Sequence, residues 1–193
     1  MPTRSVRARV CQALMILWGW LSANAAEPPT TPILRIETGM HTAAIRRLAT
    51  DAANRYLVTG SDDKTVRVWE LATGRLARVL RPPIGPGNEG KVYVVALSPD
   101  ATTVACGGWA GAWEGAHCIY LFDRASGRLL RRITGLPEVV LHLVYSPDGR
   151  FLAATLGEGG VRKWRVPDYD LAGEDRDYGA RSYGASFDRA GRL

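Results

Sequence analysis

The sequence predicts an all-β fold built from one repeated four-stranded unit, and two observations predict it. Pairs of alternating strands joined by a polar turn recur three times along the chain. The aromatic residues that close these pairs, Trp69, Phe122 and Trp164, stand 53 and 42 residues apart. A period of 40 to 53 residues with four strands per unit is that of a β-propeller blade. Composition agrees: 46% hydrophobic and 23% charged residues are those of a globular chain, and 21 Gly with 11 Pro supply many turns.

The paired strands come first. Tyr56 to Glu70 reads as two alternating strands around Ser61-Asp62-Asp63-Lys64. Val104 to Gly108 with Ile119 to Asp123 repeats this with a longer turn, and Phe151 to Thr155 with Gly160 to Trp164 gives it again. A strand precedes each pair: Ala44 to Ala49, Val92 to Leu97 and Val140 to Tyr145. The last two end in Ser98-Pro99-Asp100 and Ser146-Pro147-Asp148-Gly149, where proline presets φ and Asp and Gly favour the bend. A further short strand is expected after Gly74-Arg75-Leu76 and after Gly127-Arg128-Leu129. The arginine-rich stretch 124–132 reads as the solvated face of such an outer strand. These strands give blade-like repeats at about 39–80, 81–133 and 134–172, with a partial unit at 173–193 whose Ser182 to Phe187 is expected to be an inner strand before a turn.

One repeat carries a closer likeness. Gly39-Met40-His41 followed by Ser61-Asp62-Asp63-Lys64-Thr65-Val66-Arg67-Val68-Trp69-Glu70 resembles a WD40 repeat, with Glu70 in place of the usual Asp. The resemblance implies a structural tetrad of His41, Thr59, Asp63 and Trp69. A buried imidazole and indole N–H need acceptors, and a satisfied network fixes one strand arrangement. The second repeat departs from the pattern, with Cys106 for Ser/Thr, Phe122 for Trp and no Gly-His. The third keeps Trp164 but has Ala154 and Glu158 at the polar positions. Those blades are expected to rely on apolar packing. The fold expected over 33–193 is therefore an incomplete WD40-like β-propeller, about three four-stranded blades plus part of a fourth. Ile33 to Ile36 suits an outermost strand of the kind that closes such rings. Three blades fall short of the roughly four to eight that close one, so the chain reads as truncated or fragmentary, with a ring assembled from several chains as the alternative.

The first 25 residues have the build of a secretory signal peptide. Arg4, Arg7 and Arg9 precede an apolar run from Val10 to Leu21, and Ala23-Asn24-Ala25 forms a cleavage site. The run is short for a membrane span of roughly 20 residues. Cleavage is expected after Ala25, with a periplasmic or secreted location and no membrane association afterwards. The proline-rich 26–32 reads as a linker. Removing the leader takes three of the 25 basic residues and none of the 19 acidic ones. The small residual excess argues against nucleic acid as partner.

Chemistry-bearing patterns are sparse. His41, His117 and His142 have no metal-ligand spacing with Cys, Asp or Glu, and no serine-nucleophile or phosphate-cradle motif occurs. No catalytic residue, metal or cofactor is expected. Cys106 and Cys118 flank one hairpin in a disulfide-permitting compartment. If Phe122 aligns with Trp69, Cys106 faces Tyr120 and Cys118 lies one diagonal step away, about 7–8 Å, beyond the usual disulfide range.

The second blade grows two long connections, Arg81 to Gly90 and Gly108 to His117. In an up-and-down blade both emerge at one end, which in WD40 relatives is the face most used for ligands. Asn88, Glu89, Trp109, Trp113, Glu114 and His117, with Tyr178 from the loop Arg176 to Arg181, are the candidate partner-binding residues. The other reading has the two tryptophans merely covering the blade rim. A non-enzymatic scaffold binding a protein or peptide follows from the resemblance, with self-association through open sheet edges as a further expectation. The rival is a ligand sensor or enzyme with its site in the central channel, and the innermost strands, mostly apolar, disfavour it. A regulatory fragment of a larger protein is another alternative.

Overall fold

The computed structural model describes residues 36–111, 115–177 and 180–193. The leader at 1–25, the linker at 26–32 and the strand expected from Ile33 lie outside them, Ile36 excepted. Among the described residues, twelve strands form three four-stranded antiparallel sheets. The first contains β1 (Ile45–Thr50), β2 (Tyr56–Ser61), β3 (Val66–Glu70) and β4 (Leu76–Leu80). The second contains β5 (Lys91–Leu97), β6 (Thr103–Trp109), β7 (His117–Asp123) and β8 (Leu129–Leu136). The third contains β9 (Val140–Tyr145), β10 (Phe151–Leu156), β11 (Val161–Arg165) and β12 (Asp170–Asp175). Strand order follows chain order in every sheet, so each is an up-and-down meander and the whole is an incomplete WD40-like propeller. β8 ends at Leu136 and β12 at Asp175, so the second and third units each reach three residues past the ends read from the sequence.

Register makes the three sheets superimposable position by position. Thr59 pairs Arg67, Cys106 pairs Tyr120 and Ala154 pairs Arg162; one step out, Leu57 pairs Trp69, Val104 pairs Phe122 and Leu152 pairs Trp164. Successive side chains on a strand point to opposite faces, and the second blade uses both. Val104, Cys106, Cys118, Tyr120 and Phe122 pack toward Val58, Val66, Val68 and Leu80 of the first blade. Ala105, Ile119 and Leu121 pack toward Leu143, Leu152, Ala154, Leu156 and Trp164 of the third. Hence β6 and β7 are buried almost end to end, whereas β12 is exposed throughout.

Small side chains set the spacing between blades. A Cβ on Gly60 would lie 2.7 Å from Cγ1 of Val92 and 2.8 Å from Cγ1 of Val95, so glycine lets β2 approach β5. Cys106 and Cys118 are both buried and not joined in a disulfide, and burial pushes the Cys106 thiol well above its ordinary value.

The turns repeat as well. Ser98 Oγ donates to Asp100 and accepts from the N–H groups of Thr102 and Thr103; Ser146 Oγ donates to Asp148 and accepts from Phe151 N–H. Asp188 accepts from the N–H groups of Ala190 and Arg192 in the partial fourth unit. There the structure corrects one expectation. The turn forms, but Ser182 to Phe187 is not a strand. Instead of a ladder it makes single bonds, from Thr155 Oγ1 to Ser182 O and from Ala185 N–H to His142 Nδ1 of the third blade, and from Arg47 Nη2 of β1 to Tyr183 O.

Gly60→Ala is expected to destabilise the protein by about 1–3 kcal/mol, the usual cost of overpacking a tight core. Urea denaturation compared with wild type checks it.

Candidate functional site

The tetrad implied by the resemblance is assembled in the first blade. His41, in the segment before β1, places Nδ1 2.8 Å from Asp63 Oδ2 and Nε2 2.8 Å from Thr59 Oγ1. Trp69 Nε1 donates to the same Thr59 oxygen at 3.0 Å. An ionised carboxylate only accepts, so Nδ1 carries the proton. Thr59 then donates to Nε2 while accepting from the indole, and all three bonds are satisfied by one neutral tautomer. Asp63 also accepts from Thr42 N–H and from the backbone and hydroxyl of Thr65. Burial alone would raise the Asp63 carboxyl, but the bonds from Thr65, His41 and Thr42 outweigh it and hold the group below its ordinary 3.8. The second and third blades lack this set. Cys106 and Ala154 lie in apolar clusters, and Glu158 is exposed.

The two long connections of the second blade are tied into one body. Lys64 Nζ, from the β2–β3 turn, donates to Gly85 O of the first connection at 2.8 Å. Gly90 N–H donates to Trp109 O at 2.7 Å, bridging the first connection to the end of β6. Glu89, expected at the contact surface, instead turns inward: it is buried, and its carboxylate accepts Gly111 N–H at 2.7 Å. Gly111 has φ +94°, and a Cβ there would meet Ala116 O at 2.7 Å, so glycine is required where the two connections join.

Of the remaining candidates, Asn88 is exposed on the first connection. Trp109 is 38% exposed and its ring meets that of His117 edge-on, centroids 5.8 Å apart. His117 Nδ1 is buried with no hydrogen-bond partner among the described residues. Trp113, Glu114 and Tyr178 lie outside the described residues. The structure thus brings Trp109 and His117 together and converts Glu89 into a strut.

The same end of the molecule holds groups that the sequence reading passed over. Arg46 grips the Asp62 carboxylate with Nε and Nη2, and its guanidinium stands 5.8 Å from the Tyr93 ring centroid. The hydrogen bonds from Arg46 lower the Asp62 carboxyl. Lys91 pairs with Trp109 across β5 and β6. Alternation along β1 and β5 could have signalled Arg46 and Tyr93, since each interrupts an apolar strand. Among the described residues, no group of three or more His, Cys, Asp or Glu side chains is placed to hold a metal ion, and no helix is long and apolar enough to cross a membrane.

Comparison with known proteins follows this geometry. Residues 34–70, which contain the whole tetrad, match the family described as WD domain, G-beta repeat. The chain is 43% identical over 61 residues to the ribosome biogenesis protein BOP1 homolog of Drosophila persimilis, covering 32% of this chain and 7% of that protein. It is 26% identical over 184 residues to coronin-7 of Rattus norvegicus, covering 91% of this chain and 19% of that protein. The chain therefore spans less than a fifth of the length of either relative.

Thr59→Val is expected to cost about 1–3 kcal/mol, because it strands the Trp69 N–H and His41 Nε2 without partners. The Asp63 contribution should be complete above pH 3.8 and vanish as pH falls through the lower folded value. Urea midpoints measured from pH 7 downward check both, since Asp63→Asn should flatten part of the acid slope.

Proposed function

We propose that this protein is an exported, non-enzymatic interaction scaffold that binds a protein or peptide partner through the joined connections of its second blade. One observation carries the reading: the partly exposed Trp109, seated edge-on against His117, stands on a base fixed by the Glu89–Gly111 and Lys64–Gly85 bonds. Rigid, half-exposed aromatic side chains are the commonest anchors of protein interfaces, because they supply contact area at little entropic cost. The WD repeat match supports an interaction role in general, and the partner's identity is a separate question. Trp113, Glu114 and Tyr178 complete the proposed surface. Export rests on the Arg4 to Ala25 segment, with cleavage after Ala25 delivering the chain to the periplasm or the exterior.

Two measurements test this. N-terminal sequencing of the exported protein should begin at Ala26. A photo-reactive residue at Asn88 should cross-link one saturable partner from the same compartment, and Trp109→Ala with Trp113→Ala should weaken that partner's binding at least tenfold with thermal stability unchanged. Binding that survives the double substitution would refute the surface.

A further inference from the structure

The geometry points to a second binding site on the first blade: a two-arginine pocket for a carboxylate, built by Arg67 and Arg81 and filled by the chain's own Glu37. Arg67 Nη1 donates to Glu37 Oε1 at 2.7 Å and Arg81 Nη2 to Oε2 at 3.0 Å, so each carboxylate oxygen meets its own guanidinium. The hydrogen bond from Arg67, followed by weaker ones from Gly39 N–H and Arg81, holds the Glu37 carboxyl at about 2 against the cost of its desolvation. The cleft has a volume of about 270 Å³ and adds the hydroxyl-bearing Thr38, Thr42 and Thr65. Asp63 also lines it, but His41 and Thr42 occupy its Oδ2 and Thr65 its Oδ1.

The pocket's wall is buried and its filler is partly exposed. Arg67 sits in the middle of β3 with a side chain only 4% exposed, and its Nε is buried without a hydrogen-bond partner among the described residues. Glu37 belongs to a segment without regular structure, is 39% exposed, and is flanked by Ile36 and Met40, both far out in solvent. Apolar burial therefore does little to hold Glu37 itself down: its carboxylate is held by the two guanidiniums and Gly39 N–H, while the segment is anchored further on by His41 and Thr42. Comparison with the third blade supports this division. Arg162 occupies the same register position as Arg67, yet it donates to Gly135 O of the preceding blade and pairs with Glu174 of its own. The first blade's arginine takes a carboxylate from the leading segment instead. An acidic side chain or terminal carboxylate presented to this face would find the same two-pronged arrangement.

The test uses the full chain, with sodium acetate as probe at constant ionic strength. Glu37→Ala should lower Tm by several degrees, and acetate should restore it with saturation. The peptide acetyl-Gly-Glu-Gly-amide should act as acetate does, and its Gln counterpart should not. Adding Arg81→Ala, a half-exposed position that leaves the β3 core intact, should weaken the acetate response about tenfold. Wild type should show no saturable response. The proposal is overturned if acetate acts on Glu37→Ala no better than chloride, if Arg81→Ala leaves the response unchanged, or if Glu37→Ala is as stable as wild type and indifferent to acetate. Tighter binding of inorganic phosphate than of acetate would overturn the carboxylate assignment.

Discussion

Everything in this molecule depends on sheets being covered on both faces. A four-stranded sheet of this size is poorly stable alone, because a single layer leaves both faces of every strand in water. The second blade meets the requirement fully: Val104, Cys106, Tyr120 and Phe122 on one side and Ala105, Ile119 and Leu121 on the other are all buried. This double burial explains why its strands read as continuous apolar runs instead of an alternating pattern. It also explains the premium on small residues between blades, of which Gly60 against Val92 and Val95 is the tightest case.

The first blade answers the same requirement with polar chemistry. Its Thr59, Arg67 and Trp69 occupy the register positions that Cys106, Tyr120 and Phe122 fill in the second blade, where the first blade covers them. In the first blade the segment before β1 does the covering, with His41 on Thr59 and Asp63 and Glu37 on Arg67. Polar contacts of this kind are directional, so they fix one seating of that segment where apolar contacts would tolerate several. One strand face thus carries both the structural tetrad and the two-arginine pocket.

What the sequence disclosed follows the range of each interaction. Strand pairs, turns and the His41–Thr59–Asp63–Trp69 set were legible, since period-two alternation, Ser-Pro-Asp turns and a spaced motif are written in local order. The pairing of Cys106 with Tyr120 followed from aligning one hairpin on another. Glu89 was not legible: nothing local distinguishes a carboxylate on the surface from one folded 22 residues along onto Gly111 N–H. The same holds for Glu37, whose partners lie 30 and 44 residues away. Ser182 to Phe187 has the alternation of a strand, yet a strand is defined by its neighbour, and the segment makes only scattered single bonds, to Thr155 and His142 of the third blade and to Arg47 of the first.

The position of the long connections follows from these constraints. On the proposed reading, a loop that presents an aromatic ring to a partner needs a base that does not move, because every rotamer frozen on binding subtracts from affinity. The middle strands of the second blade, β6 and β7, are buried on both faces almost end to end, which gives the connection between them a firm base. Glu89 adds to that base by satisfying the Gly111 N–H inside the insertion, where an unpaired backbone donor would cost about 1–3 kcal/mol. A loop carboxylate used in this way is unavailable to a partner. On the proposed reading, the described part of the contact surface at this end is Trp109 and His117 beside the Arg46–Asp62 pair, so a partner would meet aromatic faces next to an already neutralised charge pair. Such a surface selects by shape and aromatic fit more than by net charge.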